Sequence, residues 1–160
     1  MAQSTPYGAV VAHPIRLKPG EDFVSAIENA ASQAMSISSS SSAFVMTAVG
    51  SLDKVSLRMA NASRSDGGNT LPSNEIRNWN ERMEVVSLVG TLSSSGKHLH
   101  MSLSDKNGTV VGGHVMSGQV FTTMEIVLGT IKGVVFKREV DEATGYRELV
   151  VEKKESIHQT

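Results

Sequence analysis

Three of the chain's five histidines lie within one short segment, and their spacing could bring three imidazole rings together. The segment reads GKHLHMSLSDKNGTVVGGHV and runs from Gly96 to Val115. His98 and His100 are separated by one residue, and His114 follows after a turn. Neutral imidazole nitrogens are common ligands of zinc and related metals. The chemistry that this segment could support is therefore metal binding.

Strand alternation assigns the two sides of this segment. Alternate residues of a strand point to opposite faces, so His98 and His100 share one face. The other face carries apolar residues and must be the core face; its members are Leu99, Met101 and Leu103. Beyond the turn, Val111 and Val115 would join that core face if His114 lies on the histidine face.

The turn DKNG decides whether His114 does so. Asp105 at the start of a type I turn, with Gly108 at positive φ, predicts a three-residue loop with a G1 bulge. This register pairs Asp105 with Thr109, and counting back pairs His100 with His114. A two-residue turn would instead put His114 on the core face, alone among aliphatic side chains, and we reject it for that reason.

The preferred register makes the three imidazoles neighbours, because directly opposed Cβ atoms lie about 5 Å apart. We expect Gly112 and Gly113 to leave open space beside His114 and to permit a bulge there. Three nitrogens would leave one position of a tetrahedral zinc ion free. The alternative is three ordinary histidines on a solvated strand face. His13 and His158 have no such neighbours, and we interpret them as plain surface or strand residues.

The surrounding sequence predicts how the hairpin is supported. Apolar segments at 8–17, 43–50, 51–60, 82–92 and 120–131, with a last hairpin at 134–152, indicate strands. Helical spacing from Phe23, after the acidic Glu21 and Asp22, predicts an amphipathic helix ending near Met35. The serine-rich stretch at 36–42 is interpreted as a flexible connector. One helix and seven or eight strands define an α+β fold, a mostly antiparallel sheet packed on that helix.

We expect one domain over residues 1–160, with a core of about 10–152, a polar excursion or edge hairpin tip at 61–80 and a frayed C-terminal tail at 153–160. No apolar run approaches the ~18 residues that span a membrane, and no secretory signal is visible. The chain has no cysteine, which excludes thiolate ligands and fits an intracellular, cytoplasmic setting. Its formal charge of -1 shows no basic excess of the kind that binds nucleic acid.

Several motifs together resemble the PPC domain, also called DUF296, which plant AT-hook nuclear proteins carry and which occurs alone in prokaryotes. They are LKPGED, SLSDKNGTVVGGH and EIVLG, and the resemblance covers roughly residues 10–135. It implies a central antiparallel sheet and a homotrimer. His-x-His and Gly-Gly-His resemble stand-alone prokaryotic members, which favours a metal site at His98, His100 and His114. The chain has no Arg-Gly-Arg-Pro core, the segment that enters the minor groove in AT-hook proteins.

Three functions remain open at this stage. The first is a homotrimeric metal-binding protein, with zinc as the expected metal, that binds a small anionic ligand or a partner protein. The second is a metal-dependent enzyme, a hydrolase or lyase, with Glu84 or Glu125 as general base and Arg58 or Arg82 as an anion clamp. The third is a DNA-binding regulator, the usual label of the family, which the charge and the missing AT-hook disfavour.

Overall fold

The computed structural model describes residues 7–60 and 75–154. One helix and eight strands follow one another along the chain: β1 (Val10–Leu17), α1 (Phe23–Ile37), β2 (Ala43–Arg58), β3 (Ile76–Trp79), β4 (Met83–Ser93), β5 (Gly96–Ser104), β6 (Val110–Ile131), β7 (Val134–Val140) and β8 (Arg147–Lys153). The predicted α+β class with a mostly antiparallel sheet and one helix is confirmed.

Six strands form one antiparallel sheet in the order β1-β6-β5-β4-β2-β3. Strand β6 also pairs with β2, so β6, β5, β4 and β2 close on themselves. Strands β7 and β8 form a separate two-stranded sheet. The histidine hairpin β5–β6 therefore belongs to the closed part of the main sheet, where neighbouring strands pair with both of its arms.

The core lies between the helix and the inner faces of these strands. Asp22 begins α1 by accepting a hydrogen bond from the Ser25 backbone N–H at 2.7 Å, as expected of an acidic N-cap. The buried residues of α1 are Phe23, Val24, Ile27, Ala31 and Ala34. They join one apolar cluster with the core-facing residues of the sheet. Among the described residues, no helix is long and apolar enough to cross a membrane; the expected cytoplasmic location stays a prediction.

Three details differ from the sequence-based expectations. The predicted strands at 43–50 and 51–60 are one strand, β2, interrupted by bulges rather than by a turn. Likewise β6 runs through the glycines that follow the histidine turn to Ile131. Within the predicted polar excursion at 61–80, Ile76–Trp79 forms the edge strand β3, whereas 61–74 lies outside the described residues.

The serine-rich stretch is ordered, so its interpretation as a flexible connector is wrong. The helix continues to Ile37, and three of the serines that follow, Ser38, Ser40 and Ser42, are buried. The hydroxyls of Ser40 and Ser42 both donate to the carbonyl of Ile131, at 2.8 and 3.2 Å. These contacts tie the end of α1 to the end of β6. At the other terminus, Lys153 still belongs to β8, and 155–160, including His158, lie outside the described residues.

Candidate metal centre

The turn between β5 and β6 has the predicted geometry. The backbone N–H of Asp105 donates to the Thr109 carbonyl at 3.0 Å, and the N–H of Gly108 donates to the Asp105 carbonyl at 3.0 Å. Gly108 has a φ of 80°, which a residue with a side chain adopts only at a cost. The carboxylate of Asp105 accepts from the backbone N–H groups of Asn107 and Thr109. This register places His100 directly opposite His114, as the sequence predicted.

The three histidines form one cluster. Ring centroids of His98 and His100 lie 4.9 Å apart, those of His98 and His114 5.1 Å, and those of His100 and His114 5.4 Å. One nitrogen from each ring can be chosen so that all three lie within 4.8 Å of one another. The Nε2 atoms of His98 and His100 are 3.0 Å apart. The opposite face of the hairpin is buried: Leu99, Met101, Leu103 and Val115 are in the core.

These distances suit a metal ion. Zinc–nitrogen bonds of about 2.0–2.1 Å in a tetrahedron put neighbouring ligand nitrogens about 3.3 Å apart. The Nε2 atoms of His98 and His100 are close to that spacing, and a nitrogen of His114 lies within 4.8 Å of a nitrogen of each of the other two rings. The Nδ1 atom of His114 is buried without a hydrogen-bond partner. Because a buried nitrogen left unpaired costs free energy, a ligand at this position would remove a penalty that the protein alone carries.

The surroundings keep two of the rings neutral. Burial, followed by the charge of Arg58, lowers the pKa of His114 to about 4. Burial, followed by the charge of Arg138, lowers the pKa of His98 below its usual 6.5. A neutral imidazole is the form that binds a metal. At neutral pH these side chains therefore need not lose a proton before they act as ligands.

Glycines beside His114 have a different role from the one expected. A Cβ atom on Gly113 would lie 2.7 Å from the carbonyl oxygen of Arg58, and one on Gly112 would lie 2.9 Å from the carbonyl oxygen of Met101. The pairing of β5 with β6 is also continuous here, without a bulge. The expectation of open space is therefore wrong, whereas an irregularity does occur next to His114, where the pairing of β2 with β6 shifts register between Ser56 and Leu57. Both glycines instead allow neighbouring backbones to approach closely on either side of β6.

Of the two arginines proposed as anion clamps, the structure brings Arg58 to the cluster. It is the last residue of β2 and pairs directly with His114, which on its other side pairs with His100. Arg58, His114 and His100 therefore form a row across three strands, with side chains on one face. Arg82 lies elsewhere, with its guanidinium 4.4 Å from the centre of the Phe121 ring.

The two proposed general bases are not near the histidines within the chain. Glu84 lies opposite Ser104 on one side and Ser51 on the other, at the far end of β5 from His98. Glu125 pairs with Arg16 and Val49 and borders a different cleft. Both side chains are exposed. His13, interpreted as an ordinary strand residue, lies within 3.0 Å of the Thr130 hydroxyl through its Nε2 atom.

Hairpin β7–β8 supplies site residues that the sequence reasoning missed. Two open clefts, of about 340 and 320 Å³, adjoin the histidines and share His98, Arg138 and Glu148. The larger also contains Arg58, Lys97, His114, Tyr146 and Arg147. A signal was present in the sequence: alternation along VVFKREV puts Arg138 on the same face as the apolar Val134 and Phe136. A cation on the core face of a strand needs polar partners, and here they lie next to the histidines.

The structure thus defines a mostly antiparallel β domain with one helix and a three-histidine cluster at the open side of a hairpin. The chain belongs to the Plants and Prokaryotes Conserved (PCC) domain family, whose model matches residues 5–132. The resemblance inferred from the sequence motifs is confirmed. The matched region contains the three histidines and Arg58, and hairpin β7–β8 follows it.

Curated relatives include two proteins named Bifunctional protein GlmU, from Synechococcus sp. strains JA-3-3Ab and JA-2-3B'a(2-13). Each is 37% identical over 94% of this chain. The chain spans 22% of the length of each, so the match concerns only one part of these longer proteins.

Solved structures share the fold over almost the whole chain. A hypothetical protein from Salmonella enterica has a TM-score of 0.81 and 29% identity, with 94% of this chain and 99% of that chain covered. The metal-containing protein AF0104 from Archaeoglobus fulgidus has a TM-score of 0.72 and 23% identity, with 93% and 99% covered. A protein from Bacteroides thetaiotaomicron, provisionally assigned to DNA binding, has a TM-score of 0.69 and 15% identity, with 87% and 91% covered.

Proposed function

We propose that the chain is a metal-binding PCC domain and that His98, His100 and His114 hold a single zinc ion. The observation that carries the proposal is the convergence of three imidazole nitrogens within 4.8 Å on a register fixed by the DKNG turn. The unpaired Nδ1 of His114 supports it. The Archaeoglobus neighbour, a metal-containing protein of the same fold, adds support from outside the chain.

The donor set fits zinc and admits other metals. Three neutral imidazoles and no thiolate suit Zn²⁺, and also Ni, Co, Fe or Cu ions. A three-nitrogen site leaves one position open, and a metal held this way can polarise an oxygen ligand or lower the pKa of bound water to about 7. The chain's own contribution is to hold three rings close together on a paired hairpin, with the pKa values of His98 and His114 lowered and clefts on the accessible side.

Metal content per chain tests the proposal. Protein purified without an affinity tag or chelator should contain about one metal ion per chain by elemental analysis. His100→Ala should lose it, because two nitrogens rarely hold zinc tightly. His13→Ala is the matched control and should keep it, since His13 contacts Thr130 instead. Full metal content in His100→Ala would show that the three imidazoles are not one site.

The same variant should separate metal binding from folding. The hairpin packs through its buried face, so His100→Ala should keep its circular dichroism spectrum. It should lose the increase in melting temperature that metal gives the unmodified chain. For a ligand at 100 times its dissociation constant, that increase corresponds to about 2.7 kcal/mol of unfolding free energy.

A homotrimer is part of the proposal. Several large apolar side chains of the main sheet are exposed in the single chain, among them Val10, Met46, Val49, Val86 and Val89. Exposed apolar residues of this kind are typical of surfaces that pack against another subunit. Light scattering at micromolar concentration should therefore report about three times the chain mass of 17.1 kDa. A stable monomer would contradict this part of the proposal.

A metal-dependent hydrolase or lyase is the second candidate, and Glu148 favours it. This carboxylate borders both clefts beside His98, and a metal-bound water would need a general base within reach. Zinc-loaded protein should then hydrolyse p-nitrophenyl acetate above the rate of free zinc. Glu148→Gln should abolish that activity, whereas Glu125→Gln should not, because Glu125 borders another cleft. Equal activity in both variants would remove the support for catalysis through Glu148.

DNA binding is the third candidate, supported by the provisional assignment of the Bacteroides neighbour. The charge of -1 and the missing Arg-Gly-Arg-Pro core argue against it. We expect negligible binding to AT-rich duplex DNA at physiological ionic strength, measured by fluorescence anisotropy. Sub-micromolar affinity under those conditions would contradict this expectation.

A further inference from the structure

Cationic side chains surround the clefts next to the histidines. Four of them border the larger cleft, and Glu148 is the carboxylate among its lining residues; the cations are Arg58, Lys97, Arg138 and Arg147. A divalent ion on three neutral imidazoles would add two further positive charges. Because the site would then carry a large excess of positive charge, a bound anion would lower its electrostatic free energy.

These cations differ in the hydrogen bonds and ion pairs that they already make within the chain. Lys97 forms an ion pair with Glu28 at 2.7 Å, and Arg147 donates to the Arg138 carbonyl at 2.7 and 3.1 Å. Arg58 is different. Within residues 7–60 and 75–154, its guanidinium forms no hydrogen bond or ion pair with another side chain or carbonyl.

Arg138 is held in place and still has donors to offer. Its terminal nitrogens donate to the hydroxyl of Thr91 at 3.1 Å and to the carbonyl of Arg147 at 3.2 Å. A guanidinium has five N–H groups, so about three remain for a ligand. Arg138 comes from β7 and Arg58 from β2, so two separate sheets contribute a guanidinium to the same cleft.

We propose that this cleft binds a small organic anion whose carboxylate or phosphate group pairs with Arg58 and Arg138. The larger cleft, of about 340 Å³, has the size of a small-molecule site. Guanidinium groups match the oxygen geometry of both carboxylate and phosphate. Since His98 and His114 border the same cleft, the anion would lie beside the metal; this second part rests on the proposed metal site, whereas the anion site itself consists of protein residues alone.

Calorimetric titration with two probes tests the inference. Inorganic phosphate and malonate should each be titrated, at low ionic strength, into metal-free protein and into protein loaded with one zinc ion per chain. We expect the better probe to bind the metal-free chain with a dissociation constant of about 1 mM or below, and the zinc-loaded chain at least tenfold more tightly. Whichever probe binds better identifies the group, phosphate or carboxylate.

Arg58 variants provide the decisive comparison. Arg58→Gln should weaken binding of the better probe at least tenfold in both the metal-free and the zinc-loaded chain. Arg58→Lys should recover part of the loss, because it restores the positive charge but not the planar set of guanidinium N–H donors. Arg82→Gln is the control and should bind like the unmodified chain, since Arg82 stacks on Phe121. Metal content should be unchanged in all three variants.

The outcomes separate this inference from the proposed metal site. If the unmodified chain binds neither probe at 10 mM, or if Arg58→Gln binds both as well as the unmodified chain, the anion site is overturned. If the chain binds no metal but binds a probe through Arg58, the metal proposal fails and the anion site stands.

Discussion

Hairpins β5–β6 and β7–β8 both border the candidate metal centre, but they are held in different ways. The arms of β5–β6 pair with β4 and β2, so both of its strands lie inside the main sheet. Hairpin β7–β8 is a sheet of its own. It is attached through the buried Val134 and Phe136 and through two hydrogen bonds of Arg138, from its backbone N–H to the Ser95 hydroxyl and from its guanidinium to the Thr91 hydroxyl. An isolated two-stranded hairpin is marginally stable, so its position depends on these few contacts.

The difference suits the separate tasks that the two proposals give to the hairpins. Three ligand nitrogens must keep a fixed spacing, which the paired strands of β5–β6 provide. A hairpin that binds an anion through its charged side chains tolerates more movement, because charge attraction falls off gradually with distance. We expect changes that disturb the backbone pairing of β5 with its neighbours to affect the whole fold and the metal site together. Changes in β7–β8 should affect the cleft with less effect on the rest of the molecule.

Gly90 lies in β4, the strand that pairs with β5, and its substitution should give the largest effect among the tests of this comparison. It has a φ of 144° and lies opposite Leu99, and a Cβ atom there would overlap the carbonyl oxygen of His98. Because that contact is with backbone inside the paired sheet, Gly90→Ala should cost about 3 kcal/mol of unfolding free energy or more, measured by urea denaturation. Metal content should fall with it.

Gly108, in the turn of hairpin β5–β6, is the matched control. It also has a positive φ, 80°, but nothing lies near the position of an added Cβ atom. Gly108→Ala should therefore cost only about 1–2 kcal/mol and leave the metal in place. Equal destabilisation by the two substitutions would show that the overlap at Gly90 is relieved by movement of the strands.

The two hairpins also differ in how much of them the sequence predicted. Local signals were enough for β5–β6: a DKNG turn, alternating polarity and a glycine at the αL position fixed the register that pairs His100 with His114. The same local logic identified β7–β8 as a hairpin. Its position beside the histidines could not be predicted, because it depends on contacts such as that between Arg138 and Thr91, 47 residues apart.

Tertiary contacts also explain two other predictions that the structure corrects. Glu84 and Glu125 were selected by residue type, and only the register of β4 and β6 shows that they lie away from the cluster. The serines after α1 have a loop-like composition, but the Ile131 carbonyl gives their hydroxyls a buried partner. Local sequence therefore predicted strands and turns, whereas the neighbours of each strand came from tertiary pairing.

Arg138→Met gives the next largest effect and concerns the second hairpin. Methionine keeps much of the side-chain volume but removes the hydrogen bonds to Thr91 and Arg147. We expect the attachment of β7–β8 to weaken by about 1–2 kcal/mol, seen as roughly tenfold faster amide hydrogen exchange in β7 and β8. Exchange in β5 and β6 and metal content should stay unchanged. Faster exchange in all four strands would mean that the hairpins are one cooperative unit.

A pH titration of stability should give a smaller effect, specific to the histidine hairpin. Burial lowers the pKa of His114 to about 4, below the 6.5 of the unfolded chain, so the unfolded state binds more protons between these values. Metal-free protein should therefore lose stability as the pH falls from about 6.5 towards about 4. Solvent screening will limit the size of this loss, because the ring is only half-buried. His114→Asn should flatten the curve in this range, measured by urea denaturation in the presence of a chelator; an unchanged slope would assign the pH dependence to other groups.

The smallest effect is expected at the turn that sets the histidine register. Backbone N–H groups of Thr109 and Asn107 donate to the Asp105 carboxylate and hold its pKa below the usual 3.8. A carboxyl group with a depressed pKa stabilises the fold above 3.8, and this contribution is lost as the pH falls through the depressed value. The backbone amide signal of Thr109 in NMR spectra should therefore shift with a midpoint below pH 3.8. Asp105→Asn retains a carbonyl oxygen that can accept both bonds, so it should remove the midpoint while β5 and β6 keep their pairing. If instead the midpoint persists in Asp105→Asn, another group titrates at the turn, and the carboxylate is not what holds the register of His100 and His114.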